Sequence, residues 1–172
     1  MLAYVFFHHA APGTDVAAYE EGLRRFHAGL AQSRPAGFIS SATYRSRDGY
    51  SDWYLVEDSA SLDPLNEAAV AARIRPVHDA VAHAATDFAG KLYALVRGAP
   101  DGLAFETRFS KPAGMTYPDL YGRLETWTVF GGVSLWRRMM VLGPPPEFCL
   151  LSATELDLPA EMKPEVLTRE RL

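Results

Sequence analysis

Hydrophobic and polar positions along this chain follow two rhythms, and the switches between them mark the elements. Residues 2–9 form a compact aromatic and β-branched run that predicts a buried strand. Pro12-Gly13-Thr14-Asp15 breaks the chain and offers a cap. Val16, Tyr19, Leu23, Phe26 and Leu30 follow at steps of 3 and 4, one apolar helical face with Glu20, Glu21, Arg24 and Arg25 mostly outside it. Pro35-Ala36-Gly37 ends that helix. Residues 38–46 and 51–57 then predict a hairpin about Arg47-Asp48-Gly49. A second helical stretch runs from Leu62-Asp63-Pro64 to about Ala85, with a kink or restart expected at Pro76 and Val70, Ile74, Val77, Val81 and Ala84 on its apolar face. Residues 91–97 predict a further strand. The order β-α-β-β-α-β is that of a ferredoxin-like unit.

A shortened second copy follows. Leu103-Ala104-Phe105 repeats Leu2-Ala3-Tyr4 at an offset of 101, and Gly114 and Leu124 match Gly13 and Leu23 at the same offset. Downstream the offset is 95: Gly132-Val133 falls on Gly37-Phe38, Phe148-Cys149-Leu150-Leu151 on Trp53-Tyr54-Leu55-Val56, and Pro159 on Pro64. The fold class is therefore α+β, with two tandem ferredoxin-like units whose antiparallel sheets pack together. Residues 1–98 form the first unit, 99–160 a truncated β-α-β-β unit sharing the same core, and 161–172 a polar tail.

Composition narrows the function classes. A hydrophobic fraction of 48% with 22% charged residues describes a folded globular chain rather than a disordered one. The net charge of −4 and the lack of a basic stripe argue against a nucleic-acid partner. No stretch approaches the roughly 18 apolar residues of a membrane span, and the N-terminal apolar run lacks the basic lead of a secretory leader. The single cysteine, Cys149, excludes an intrachain disulfide and reads as a small buried hydrophobe. A reduced, cytoplasmic setting is expected.

The element order, the long amphipathic first helix, the segment Trp53-Tyr54-Leu55-Val56-Glu57-Asp58-Ser59, and the stretch Arg73 to His78 with the later strand Leu92-Tyr93-Ala94-Leu95-Val96 resemble the dimeric α+β barrel superfamily, which includes the antibiotic-biosynthesis monooxygenases. The resemblance implies two sheets packed face to face and self-association, with a homodimer expected. It also implies ligand space between a sheet and its helices or inside the barrel. The function it implies is small-molecule binding, with metal-free monooxygenase, isomerase or cyclase chemistry on an aromatic or polyketide-like ligand. A non-catalytic metabolite or haem binder and a structural oligomer without a cavity are the alternatives, because fold alone fixes no chemistry. No cofactor and no metal are expected.

Candidate chemistry comes from contrasts between the copies. Ala3, Val5, Phe7 and His9 share one face of the first strand, and Ala104, Glu106, Arg108 and Ser110 stand at the matching positions. Leu103, Phe105, Thr107 and Phe109 take the helix-facing side. Glu106 is then a candidate base and Arg108 an anion holder at the polar end of a ligand cavity. An ion pair on a solvent-facing sheet or a subunit contact suits the same placement. Alternation puts Trp136 and Arg138 on one side of their strand, where stacking and anion contact could line that cavity, as could an edge or interface. Among five histidines none has a metal-ligand spacing. His78, just past Pro76, and His9, at a strand end, are the acid–base candidates, while His27 reads as a satisfied, partly buried histidine. Pro144-Pro145-Pro146 reads as a rigid loop between two strands.

Overall fold

The computed structural model describes residues 1–100, 104–128 and 132–172, so the strand-face position of Leu103 lies outside the described residues. The first unit runs β1 (Leu2–Ala10), α1 (Val16–Ser33), β2 (Phe38–Ser46), β3 (Gly49–Val56), α2 (Leu62–Ala69), α3 (Arg75–His83) and β4 (Ala85–Arg97). The second contains β5 (Phe105–Phe109), α4 (Tyr117–Thr128), β6 (Val133–Arg138), β7 (Phe148–Ser152), β8 (Glu165–Thr168) and β9 (Glu170–Arg171).

Local chemistry explains the helices. Asp15 caps α1 by accepting from the backbone N–H groups of Ala17 and Ala18, and Arg34 closes it in a left-handed conformation. Tyr19, Leu23, Phe26 and Leu30 are buried along one face, as their spacing predicts. The second helical stretch is two helices. The break falls at residues 70–74, and Pro76 sits in the first turn of α3, where its missing N–H costs nothing.

All nine strands join one antiparallel sheet in the order β8-β5-β7-β6-β4-β1-β3-β2-β9. Within it β4-β1-β3-β2 and β8-β5-β7-β6 repeat one strand order, so the duplication is one of topology. The second copy is shortened at its second helix, of which the single turn Ala160–Met162 remains. Its fourth strand comes from the segment expected as a polar tail. Glu165 to Thr168 pair with β5, and Glu170 and Arg171 pair with β2 at the opposite end of the sheet. One short segment thus bonds to both sheet edges and brings the sheet to near closure. Its polar residues read as a tail because only Val166 and Leu167 carry apolar surface, and a strand pinned on both sides by backbone bonds needs little more. β4 also begins earlier than expected, at Ala85, because β1 extends to Ala10 and pairs with residues 85–94.

The strand alternation separates two cores. Inside the barrel Ala3, Val5, Trp53, Leu55, Tyr93, Trp136, Cys149 and Leu151 pack together. On the outer faces Phe26, Leu30, Tyr54 and Leu92 join the first sheet half to α1–α3, and Phe109, Leu120, Phe148 and Leu150 join the second half to α4. Cys149 is fully buried in the barrel, as its apolar neighbours predict, and burial pushes its thiol well above the ordinary value.

Candidate functional site

The outer face of β1 presents Tyr4, Phe6 and His8, and that of β3 presents Tyr50, Asp52 and Tyr54. Strand register sets Phe6 opposite Asp52 and His8 opposite Tyr50. The helices α1–α3 do not fill the space above them. A cavity of about 560 Å³ remains, with walls that include Phe6, Phe26, Tyr54, Leu65, Val81 and Phe88. That size suits a small organic ligand.

The floor of the cavity is polar and connected. Asp52 is 4% exposed. Its Oδ1 accepts a hydrogen bond from Thr43 Oγ1 at 2.6 Å, and its Oδ2 accepts one from Tyr54 Oη at 3.3 Å. Two imidazoles face the same carboxylate, His8 Nε2 at 3.3 Å and His27 Nε2 at 3.4 Å. Neither meets full hydrogen-bond geometry, so each imidazole makes a long polar contact with the carboxylate. Burial alone would raise the carboxyl. Contact with His27 and His8 outweighs that and holds Asp52 well below the usual carboxylate range. On its other side His8 shares a 2.6 Å hydrogen bond through Nδ1 with Tyr19 Oη. Burial, and then the charge on Asp52, push the Tyr19 phenol well above its ordinary value.

His8 is also held by ring contacts. It stacks on Tyr50 at 5.5 Å between centroids and meets Tyr19 edge-on at 5.9 Å. Tyr50 Oη donates to Glu20 Oε1 at 3.1 Å, and Glu20 is anchored by Arg45 Nη1 at 2.8 Å. An imidazole fixed between a carboxylate and a phenol can relay a proton, and here the relay lies beside an apolar cavity.

The candidates chosen from sequence divide between two places. His78 lines this cavity from α3, its ring 5.7 Å from that of Phe26 and its Nδ1 3.0 Å from Asp79 Oδ1. His27 is buried and bonded to Ser41 Oγ at 2.7 Å, the satisfied role expected of it. His9 lies past a bulge in β1, half exposed, 3.8 Å from Asp87, and does not reach the cavity. Glu106, Arg108, Trp136 and Arg138 share the inner face of the barrel, on the far side of the sheet. Glu106 there pairs with Arg108 at 2.6 Å and lies 3.7 Å from Arg169. Trp136 is fully buried and donates through Nε1 to Ser134 Oγ at 2.9 Å. The middle of that inner face is packed by Val5, Trp53, Tyr93 and Trp136, and the cavity described above lies on the other side of the sheet.

Sequence reasoning missed His8, Asp52 and Tyr19. His8 neighbours His9 on β1, and because adjacent strand residues diverge it points to the helix side. Asp52, a charged residue amid the aromatics of β3 and on the parity of Tyr50 and Tyr54, was the available signal.

The lining does not suit haem, one of the alternatives the sequence leaves open. Among the described residues no Arg or Lys lines the cavity to hold two propionates, whereas Asp52 and Asp63 do line it. The matching space in the second unit is closed by Phe109, Leu120, Leu124, Phe148, Leu150 and Met162, all fully buried. Among the described residues no three His, Cys, Asp or Glu side chains converge to hold a metal ion.

Two ferredoxin-like units in one near-closed antiparallel sheet define an α+β barrel. The solved structure of the chlorite dismutase-like protein TA0507 is similar to it, with a TM-score of 0.55 and 14% identity over 99% of this chain and 94% of that one. A likeness at that identity shows the fold. No protein-family model matches the sequence, and no curated protein matches it. No helix among the described residues is long and apolar enough to cross a membrane.

Proposed function

We propose that this protein is a small-molecule enzyme. Its cavity between β1, β3 and α1–α3 takes an uncharged, planar aromatic or enolic ligand, and Tyr19, His8 and Asp52 remove a proton from it. The observation that carries this reading is the buried Tyr19–His8–Asp52 chain at the floor of a mostly apolar, ligand-sized cavity. A ligand hydroxyl gives its proton to Tyr19 Oη as the phenol passes its own to His8 Nδ1. The resulting imidazolium faces the Asp52 carboxylate, which stabilises it. Tyr19 serves as a neutral conduit in this scheme, consistent with a phenol whose anion is disfavoured by burial and by Asp52. An enolate or phenolate made in this way is a common starting point for isomerase, cyclase and metal-free oxygenase chemistry. The negative charge on Asp52 and the absence of Arg and Lys from the lining favour an uncharged ligand over an anionic one.

The probe for this reading is 2-naphthol, a planar phenol that becomes a strong acid when excited and shows separate naphthol and naphtholate emission. Wild type should bind it saturably and raise the naphtholate band. Ala69→Trp, which fills the cavity from α2, should lower affinity at least tenfold. His8→Gln should keep binding within about threefold and lose the naphtholate band. Equal binding to wild type and Ala69→Trp would remove the cavity from consideration, and a naphtholate band unchanged in His8→Gln would remove the relay.

A further inference from the structure

The barrel interior holds charges that the cavity does not use. Lys91, on β4, is 2% exposed. Its Nζ donates to Tyr93 Oη at 3.1 Å and to the Pro146 carbonyl at 3.2 Å. Arg138, on β6, donates through Nη1 to the Gly143 carbonyl at 2.7 Å, while its buried Nε has no partner. Arg108, on β5, bonds Glu106 at 2.6 Å and lies 3.5 Å from Asp48. The ring of Phe7 ties this end of the barrel together, with Arg108 Cζ 4.9 Å and Lys91 Nζ 5.6 Å from its centroid.

The carboxylates of this region, Glu106 and Asp48, lie against Arg108, and Glu106 is shared with Arg169. Lys91 and Arg138 have no ion-pair partner among the described residues and end on two backbone carbonyls of the same loop, residues 143–146. Gly143 lets that loop approach. Its φ is +111°, and a Cβ there would lie 2.7 Å from Lys91 Cα, so only glycine brings the carbonyl this close. Trp53, on the same inner face, adds a buried Nε1–H without an acceptor. Burying cations without a carboxylate in contact is expensive, because two carbonyl dipoles do not repay the lost hydration. Burial, reinforced by repulsion from Arg108, brings the Lys91 ammonium down to about 8.

We propose that this end of the barrel, between Lys91, Arg138 and Arg108 beneath the 143–146 loop, is a binding site for a small oxyanion. The site is separate from the cavity on the other side of the sheet, and its ligand carries the charge that cavity disfavours. Arg138 and Lys91 supply unspent positive charge, the unpartnered Arg138 Nε–H supplies direction, and Arg108 extends the field toward the barrel mouth. The proline run now has a role as well, because it fixes the loop whose carbonyls hold both cations when no anion is bound.

Inorganic phosphate is the probe, titrated against the full chain at constant ionic strength, with sodium chloride making up the difference. Wild type should show a saturable rise in Tm, since a ligand bound only by the folded state stabilises it in proportion to the logarithm of its concentration over Kd. Arg138→Gln should abolish the rise, and Lys91→Met should weaken apparent affinity at least fivefold. A rise no larger than chloride gives, or one that persists unchanged in both variants, overturns the site. Should either variant fail to fold, broadening of the phosphate ³¹P resonance by wild type, reversed by sulfate, replaces it, and absence of broadening overturns the site equally. Acetate titrated beside phosphate then distinguishes a site open to any small oxyanion from one that requires the tetrahedral form.

Discussion

At the scale of single residues, Asp52 dominates the electrostatics of the cavity floor. Four side chains converge on one buried carboxylate: His8, His27, Thr43 and Tyr54. An unfolded aspartate titrates near about 3.9. In the fold Asp52 is held below that, so its contribution to stability is present above about pH 4 and is lost as pH falls toward the folded value. Asp52→Asn should cost about 3 kcal/mol at pH 7, because two imidazoles and two hydroxyls lose the charge they were arranged around. The same substitution should flatten the fall of stability with pH between about 4 and 2. Urea denaturation at stepped pH measures both effects, and a variant whose acid profile matches wild type would show that Asp52 is not the group responsible.

Among the elements, the β2–β3 hairpin sets the geometry of the site. Asp52 and His8 face each other only because β3 begins at Gly49 and runs antiparallel to β1 in the observed register. Gly49 has a φ of +96°, and a Cβ there would lie 2.7 Å from the His8 carbonyl oxygen. Gly49→Ala should therefore cost about 2 kcal/mol through backbone strain and force β1 and β3 apart beside the His8 imidazole. Chemical denaturation gives the first quantity. Shifted imidazole resonances of His8, with those of His78 unmoved, give the second, and an unperturbed His8 would show that the hairpin relaxes elsewhere. The hairpin was legible in sequence, since an Arg-Asp-Gly turn between two aromatic runs has a local cause. So was the restart at Pro76, where the missing N–H has only one tolerable place in a helix. The length of β4 was not legible, because residues 85–90 are small or polar apart from Phe88 and become a strand only through the partner that β1 offers them.

For the whole molecule, closure depends on residues 165–171, which pair with β5 at one end of the sheet and β2 at the other. Leu167 is 1% exposed, and Arg169 lies against the rings of Tyr44 and Trp53, with Cζ 3.9 and 5.1 Å from their centroids. Leu167→Ala should cost about 3 kcal/mol. Its signature is faster amide hydrogen exchange in both β5 and β2, although those strands lie at opposite ends of the strand order. Faster exchange in β5 alone would mean that the two edges are held independently. The sequence by itself determined the order of the elements up to about residue 160 and which residues share a face of β1, α1, β5 and β6. Periods of 2 and 3.6 are local, and they put Glu106 with Arg108, and Trp136 with Arg138, on one side of their strands. Tertiary structure decided which faces meet. His8, Tyr19 and Asp52 come together through a strand register and a helix docking that no local period encodes, and the polar final segment becomes strand only because two unpaired sheet edges stand ready to bond it.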